Sequence, residues 1–210
     1  MDTDKVMAVL WNITSKENAR NHVSDQELAV AAARGDKASR RAVVVRLFKP
    51  VSGTLSYLLG GDSDSEDLTQ ISLVRILDSI HTYKGDSSLE AWGKRIAARV
   101  VYKHLKKKGR RANLREQVWV PKSIQQGIDE TVEIQQVRAR LSALLQRLTP
   151  DIRTVLVLHL VDGYTVSEVS EILETPFGTI RDRLHRGRIK LKKMALNDQP
   201  LREWFDERRR

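Results

Sequence analysis

Four arginines on one predicted helix are the residues of this sequence best suited to binding a polyanion. Ile180 and Leu184 recur at the i, i+4 spacing of a buried helix face, which turns the basic side chains outward. The outward side chains are those of Arg181, Arg183, Arg186 and Arg188. A guanidinium group binds phosphate oxygens and can also donate two hydrogen bonds to a guanine. The pattern therefore predicts a helix that lies in the major groove of duplex DNA.

A helix-turn-helix is the element that positions such a helix, and residues 162–193 have its pattern. Thr165 and Glu168 have the spacing of a capping box at the start of the first helix. Thr175 is expected to cap the second helix, with Pro176 at its first position. In this motif the second helix enters the major groove with its N-terminal residues at the base edges. An ordinary helical hairpin with a solvated basic face is the alternative for the motif taken alone.

The charge of the whole chain favours the same class of partner. The 210 residues carry a net charge of +10 and the pI is about 10.0, which favours polyanions. Cysteine is absent, which excludes disulfides and thiolate metal sites. No apolar run approaches the roughly 20 residues of a membrane span, and acids precede the short apolar patch of residues 6–11. We therefore expect a cytoplasmic protein with no membrane partner.

Nearly every segment has helical periodicity, which predicts an all-α fold of two helical domains joined by a flexible linker. The linker is predicted where periodicity is lost around Pro121 and Gly127. The predicted parts are residues 1–23 (N-terminal extension), 24–111 (first domain), 112–136 (linker), 137–193 (second domain) and 194–210 (C-terminal tail).

Local signals set expectations inside these domains. Pro50 interrupts an apolar helical pattern and is expected to kink or split that helix. The acidic run of residues 62–67 is interpreted as the start of the next helix rather than as a set of Mg²⁺ ligands. Ser87 or Ser88 is expected to cap the helix after it. Residues 155–161 alternate as a strand does, but their helical neighbours favour a helix.

The two domains together resemble the bacterial sigma factors of the extracytoplasmic-function group, which keep only regions two and four. Region two is similar to the segment DSEDLTQISLVRILDSIHTYKGDSSLEAWGKRIAARVVYKHLKKKGRR. Region four is similar to the segment LSALLQRLTPDIRTVLVLHLVDGYTVSEVSEILETPFGTIRDRLHRGRIKLKK. The match covers about residues 24–111 and 137–193, in the family's order. It implies a sigma factor, which catalyses nothing itself but binds core RNA polymerase, directs it to specific promoters and assists promoter melting.

The resemblance also implies roles for individual residues. The face that holds the clamp of the polymerase corresponds to Asp67, Leu68, Gln70, Arg75 and Asp78. The residues that meet the melted minus-ten strand correspond to Tyr83, Lys84, Ser87, Lys94, Arg95, Arg99 and Lys103. The residues that read the minus-thirty-five duplex correspond to Thr179, Arg181, Arg183 and Arg186. Tyr83 is the expected stacking platform for an unpaired base, whereas Trp92 fits a core position better.

Some residues depart from the family's usual pattern. Glu174 stands in the turn of the helix-turn-helix, where glycine is typical, and Gly93 stands where a large apolar residue is common. Asp182, on a helix that faces DNA, is expected to pair with Arg186 at i+4; accepting a hydrogen bond from a cytosine is the alternative.

The resemblance implies three partners: promoter DNA, the clamp and flap regions of core RNA polymerase, and an anti-sigma factor. We expect a monomer, because no heptad seam is evident, and a location in the bacterial cytoplasm at the nucleoid. No cofactor and no metal are expected. A stand-alone helix-turn-helix regulator is the alternative function, although it leaves residues 64–88 without a role. An enzyme acting on nucleic acid has little support, since the histidines are scattered and no catalytic motif is evident.

Overall fold

The computed structural model describes residues 22–60, 63–111 and 132–207, and within these ranges the chain is helical with no strand. The predicted N-terminal extension up to residue 21, and the linker up to residue 131, lie outside the described residues. The helices are α1 (His22–Ala33), α2 (Lys37–Leu59), α3 (Ser65–Ser79), a 3₁₀ turn (Ile80–Thr82), α4 (Leu89–Arg111), α5 (Val132–Gln146), α6 (Pro150–Leu156), a π turn (Val157–Val161), α7 (Val166–Leu173), α8 (Phe177–Leu196) and α9 (Gln199–Glu207).

The first domain is a bundle of α1 to α4 around a core that includes Leu47, Ile76 and Leu89. Asp25 on α1 is buried; its carboxylate pairs with Arg46 on α2 at 2.6 Å and accepts the Leu89 backbone N–H at 3.1 Å. This one carboxylate thereby ties α1 to α2 and to the first turn of α4.

Pro50 was expected to kink or split its helix, and the split does not occur, because α2 runs through Pro50 without a break. Leu47 and Val51, on either side of it, are completely buried. Their packing holds a helix that a proline alone disfavours by about 3 kcal/mol. By length and composition α2 could also cross a membrane, contrary to the sequence expectation, but these buried residues make it a core helix of the first domain.

Gly93 lets α4 lie close to α2. A Cβ added at this position would stand 3.1 Å from Leu47 Cδ1 and 3.5 Å from Ile76 Cδ1. The glycine therefore fits a close helix contact, which is the reason a large apolar residue has no room here.

The second domain contains α5 to α9, with the helix-turn-helix formed by α7 and α8. The predicted capping box is present: Thr165 Oγ1 accepts from the Glu168 N–H, and the Glu168 carboxylate accepts from the Thr165 N–H. Glu174 ends α7 in the left-handed region at φ 49°. Thr175 does not cap α8, because its hydroxyl donates back to the Leu173 carbonyl and α8 begins after Pro176. Residues 155–161 are helical and end in the π turn.

Gly187 sets the distance between α8 and α6. A Cβ at this position would meet Ile152 Cγ2 at 2.7 Å and Leu156 Cδ1 at 2.9 Å, both of them core side chains. We therefore expect Gly187→Ala to lower the free energy of unfolding by about 1–3 kcal/mol, as overpacking does. Thermal denaturation measures this directly. Gly178→Ala on the same helix is the matched control, since a Cβ there meets nothing within 4 Å. A Gly187→Ala protein as stable as the control would contradict this account of the packing.

The two domains pack against each other, an arrangement that the sequence does not predict. Helix α2 contacts α5, α6 and the π turn, and α4 contacts α6 and α7. Buried residues of both domains belong to one hydrophobic cluster. At the end of α2, Gln146 Nε2 donates to the Tyr57 carbonyl at 2.9 Å and Arg153 donates to the Leu58 carbonyl at 2.6 Å. The second domain thus supplies donors to the last carbonyls of a first-domain helix.

Candidate nucleic-acid interface

The N-terminal half of α8 presents part of the predicted duplex-reading set to solvent. Ile180 and Leu184 are buried as predicted, while Thr179, Arg181 and Arg186 are exposed. Arg186 pairs with Asp182 one turn earlier, as the i+4 spacing predicts. These exposed donors lie at the end of the helix that a helix-turn-helix inserts into the major groove.

Arg183 differs from its neighbours because its guanidinium is already engaged. It donates to Asp151 Oδ2 at 3.2 Å and to the Tyr102 hydroxyl at 3.2 Å, and only 18% of its side chain is exposed. Tyr102 belongs to α4, and its own hydroxyl donates to Asp151 Oδ1 at 2.9 Å. One residue of the predicted reading set is therefore held at the contact between the domains.

Arg188 is also half-buried and lies against His159. His159 Nδ1 is 2.7 Å from the Tyr164 carbonyl, which can only accept, so this nitrogen carries the proton. The other ring nitrogen, Nε2, then accepts from Arg188 NH2 at 3.2 Å. His159 thus links the Tyr164 carbonyl to the guanidinium of Arg188.

Lys94 on α4, a predicted contact of the melted minus-ten strand, is paired with a carboxylate of the second domain. Its Nζ is 3.1 Å from Asp162 Oδ1, and the Asp162 side chain is only 1% exposed. Thr54 on α2 donates to the same carboxylate at 2.9 Å. Asp162 lies directly before the helix-turn-helix, so this pair joins the motif to the first domain.

Arg95 and Arg99, the next two residues predicted to meet the melted minus-ten strand, also contact the second domain. Arg95 forms an ion pair with Glu168, and its guanidinium lies 5.2 Å from the centre of the Tyr164 ring. Arg99 donates to the Ile172 carbonyl at 3.0 Å and, at 3.3 Å, to the carbonyl of the residue before it in the last turn of α7. Those carbonyls carry the partial negative charge of a helix C-terminus. Lys103, the last of this predicted set, is exposed.

Tyr164 completes the contact from the side of the helix-turn-helix. Its hydroxyl donates to the Ala91 carbonyl on α4 at 2.5 Å, and burial raises the pKa of this phenol. The sequence did not predict that Asp151, Asp162 and Tyr164 contact α4. Their partners lie more than 45 residues away in the chain, and no periodicity or motif indicates a contact over that separation.

The loop after the 3₁₀ turn contains Tyr83, Lys84 and Ser87. Tyr83 is only 9% exposed; its hydroxyl donates to the Ser87 carbonyl at 2.6 Å, and its ring packs edge-on against Trp92 at 5.5 Å between centres. Burial also raises the pKa of Tyr83. Lys84 is exposed, and its carbonyl accepts from Gln26 Nε2. The Tyr83 ring thus lies in the core rather than on the surface, where a stacking platform is needed, and a base reaches it only if this loop moves.

The predicted polymerase face on α3 is mostly exposed. Asp67, Gln70, Arg75 and Asp78 are exposed, whereas Leu68 is 4% exposed and packs in the core, which leaves it unavailable as a surface contact in this conformation. The same helix exposes two apolar side chains outside the predicted set, Ile71 at 48% and Val74 at 56%. The sequence could have indicated them, because both are apolar residues that lie outside the face of the helix that Leu68, Ser72 and Ile76 bury in the core. The acid that precedes α3, Asp64, pairs with His104 and Lys108.

Comparison with known proteins decides the family. The model of sigma-70 region 2 matches residues 43–111, and the model of sigma-70 region 4 matches residues 138–191. The RNA polymerase sigma-H factor of Pseudomonas aeruginosa is 24% identical over 186 residues, which are 84% of this chain and 95% of that protein. The ECF RNA polymerase sigma-E factor of Haemophilus influenzae is 26% identical over 79% of this chain and 92% of that protein. The chain belongs to the sigma-70 family of RNA polymerase sigma factors, and it is similar to the extracytoplasmic-function members of that family.

Solved structures support the fold of this sigma factor. CnrH, in a complex with the cytosolic domain of CnrY, aligns with a TM-score of 0.55 and 19% identity over 83% of this chain and 99% of that chain. The sigma factor RpoE of Bartonella quintana, in a complex with the anti-sigma factor NepR, aligns with a TM-score of 0.56 and 21% identity over 75% of this chain and 97% of that chain.

Membership of the family establishes the broad function. This sigma factor binds core RNA polymerase, directs it to promoters and assists their melting. Sigma factors are DNA-binding initiation factors that act in the bacterial cytoplasm with the polymerase. The family model of region 2 also accounts for the part of the chain that a stand-alone helix-turn-helix regulator would leave without a role.

Proposed function

We propose that this sigma factor divides promoter recognition between its two domains, with residues 24–111 as the first functional unit and residues 137–193 as the second. The N-terminal half of α8 reads the minus-thirty-five element as duplex. The loop after the 3₁₀ turn and the basic face of α4 hold the melted minus-ten strand. The exposed face of α3 binds the polymerase clamp, and the second domain meets the flap.

The observation that best supports duplex recognition by α8 is the exposure of Thr179, Arg181 and Arg186. Their side chains are free of the core and stand on a helix whose opposite face is buried through Ile180 and Leu184. An arginine that reaches guanine bidentately contributes about 1–3 kcal/mol of discrimination between bases. This is the arrangement that sequence-specific contact from a recognition helix requires.

The surface chemistry of α3 supports the assignment of the polymerase face. Ile71 and Val74 are apolar and exposed, and charged Asp67, Arg75 and Asp78 accompany them on the helix. Apolar centres with a charged rim are typical of protein–protein contacts. Helix α3 also begins with acids in its first turn, where the helix dipole favours them, so these charges stabilise the helix as well.

An anti-sigma factor is a proposed regulator. RpoE of Bartonella quintana has been solved with the anti-sigma factor NepR, and this chain aligns with 97% of that sigma factor. We also propose that the protein associates with the nucleoid, because its partners are promoter DNA and the transcribing polymerase. Neither proposal requires a cofactor, a metal or an enzymatic activity of this chain.

Run-off transcription with core RNA polymerase tests the proposed function. Fragments of the genomic DNA of the source bacterium serve as templates, and the purified full-length chain is added to sigma-free core enzyme. We expect transcripts with defined start sites that depend on the chain. Binding to DNA without binding to core, and without any such transcript, is the result that would return the protein to the class of stand-alone regulators.

A further inference from the structure

Phe177 is the first residue of helix α8, and its side chain is 53% exposed. None of the roles assigned to α8 uses this side chain. A single exposed apolar residue is common on a protein surface, so exposure alone indicates no function. The position of Phe177 is what gives its exposure a meaning, because a helix-turn-helix brings this end of its second helix to the base edges.

Phe177 shares one exposed face of α8 with Arg181, which lies one turn later. Residues i and i+4 of a helix are neighbours, with Cβ atoms about 5–6 Å apart. The Cα–Cβ bonds of a helix tilt toward its N-terminus, so Phe177 lies on the leading side of the arginine. An orientation of α8 that brings Arg181 to one base edge therefore brings Phe177 to a neighbouring base pair.

The first turn of α8 is uncharged and open to an approaching duplex. Residues 177–180 contain no acid and no base, and a Cβ added at Gly178 would meet nothing within 4 Å. A phenyl ring has no hydrogen-bond donor for a phosphate oxygen, so apolar contact is the chemistry that it can supply. In the major groove the matching group is the C5-methyl of thymine, which phenylalanine is suited to contact.

We propose that Phe177 is a specificity-determining residue that contacts the C5-methyl group of a thymine in the minus-thirty-five element. The proposal rests on the proposed function, and it adds an apolar contact to the duplex-reading set of Thr179, Arg181 and Arg186. Four residues of helix span about 6 Å along the axis, and successive base pairs lie about 3.4 Å apart. The thymine is therefore expected within about two base pairs of the base that Arg181 contacts.

Replacement of thymine by uracil tests this contact, because uracil pairs with adenine in the same way and lacks only the methyl group. Holoenzyme made from core RNA polymerase and the full-length chain is bound to a promoter found by run-off transcription. Each thymine of the upstream element, on either strand, is replaced in turn. We expect the wild type to lose roughly three- to fivefold in affinity at one thymine, as for one buried methyl group. Phe177→Ala should bind the unmodified promoter more weakly and lose nothing further with uracil.

Two further variants show whether the effect belongs to this side chain. Ile189 lies on the same helix, twelve residues later, and is 56% exposed, so Ile189→Ala removes a similar amount of apolar surface away from the first turn. This control should keep the full uracil effect. Phe177→Leu keeps an apolar side chain at the first position of α8 and should keep about a twofold effect. A loss of the effect in Ile189→Ala as well would count against a contact specific to Phe177.

An equal response of the wild type and Phe177→Ala to uracil at every thymine would overturn the proposal. If that equal response were a loss of affinity, the methyl contact would belong to another residue, such as Thr179. Weaker binding of Phe177→Ala to core RNA polymerase in the absence of DNA would also overturn it, because Phe177 would then be a protein contact.

Run-off transcription separates this proposal from the function on which it rests. If the wild-type chain gives no chain-dependent transcript, the proposed function fails and the thymine contact fails with it. If the transcripts are normal and uracil acts on the wild type and Phe177→Ala alike, the thymine contact alone fails.

Discussion

Aspartate at both Ile71 and Val74 is expected to lower the affinity of this sigma factor for core RNA polymerase by roughly 100-fold or more. Both side chains are about half exposed on α3, at 48% and 56%, so the free protein loses little stability. In the complex, each apolar side chain of this size contributes about 1.5–3 kcal/mol when it is fully buried. Two unpaired carboxylates at an apolar contact add a desolvation penalty. Surface plasmon resonance with immobilised core enzyme gives the change in affinity.

Val30→Asp is the matched control for this pair. Val30 is also 48% exposed, but it lies on α1, before the residues that match sigma-70 region 2. We expect Val30→Asp to bind core enzyme as the wild type does. Without core enzyme, the wild type, the Ile71→Asp, Val74→Asp variant and the Val30→Asp variant should bind DNA with equal affinity. Wild-type affinity for core in the Ile71→Asp, Val74→Asp protein would show that the polymerase binds elsewhere on the chain.

Alanine at both Arg181 and Arg186 is expected to weaken recognition of the minus-thirty-five element by about 2–6 kcal/mol, at about 1–3 kcal/mol for each arginine that contacts a guanine. Both side chains are exposed, and Arg186 gives up only a surface ion pair with Asp182, which contributes little to stability. The measurement compares holoenzyme binding to a natural promoter and to the same promoter with its upstream element scrambled. Binding to core enzyme should remain at the wild-type level.

Lys190→Ala with Lys193→Ala is the control for the arginine pair. These exposed lysines lie in the second half of the same helix and carry the same total charge. They are expected to weaken binding to both promoters equally, because phosphate contacts carry no sequence information. If the arginine variant lost the same affinity for both promoters, α8 would bind the DNA phosphates without recognising the bases. Arg183 is unsuited to this comparison, because its substitution would also disturb the contact with Tyr102 and Asp151.

The parts of the structure that depend on neighbouring residues could be predicted from the sequence. The capping box of Thr165 and Glu168, the buried pair of Ile180 and Leu184, and the Asp182–Arg186 pair all follow from spacings of three or four residues. Thr175 was misjudged as a cap because its hydroxyl has a nearer acceptor in the turn. Local spacing does not rank two competing hydrogen bonds.

The parts that depend on distant residues could not be predicted. Pro50 stays inside a helix because packing on both sides outweighs its local penalty. Leu68 and Tyr83 matched the family's motifs, but a motif does not reveal which side chains the rest of the bundle covers. The pairing of Lys94 with Asp162 joins residues 68 positions apart, and it exists only because the domains meet.

The turn of the helix-turn-helix has a consequence for how this sequence can change. Among the described residues, Glu174 is the non-glycine residue with a positive φ, and such a backbone costs an L-residue with a side chain roughly 1–2 kcal/mol. Every glutamate codon becomes a glycine codon by one nucleotide change at its second base. A gain in stability at the DNA-reading motif is therefore one point mutation away, and a lineage that needs a more stable motif, for growth at higher temperature for example, can reach it without altering any residue assigned to DNA.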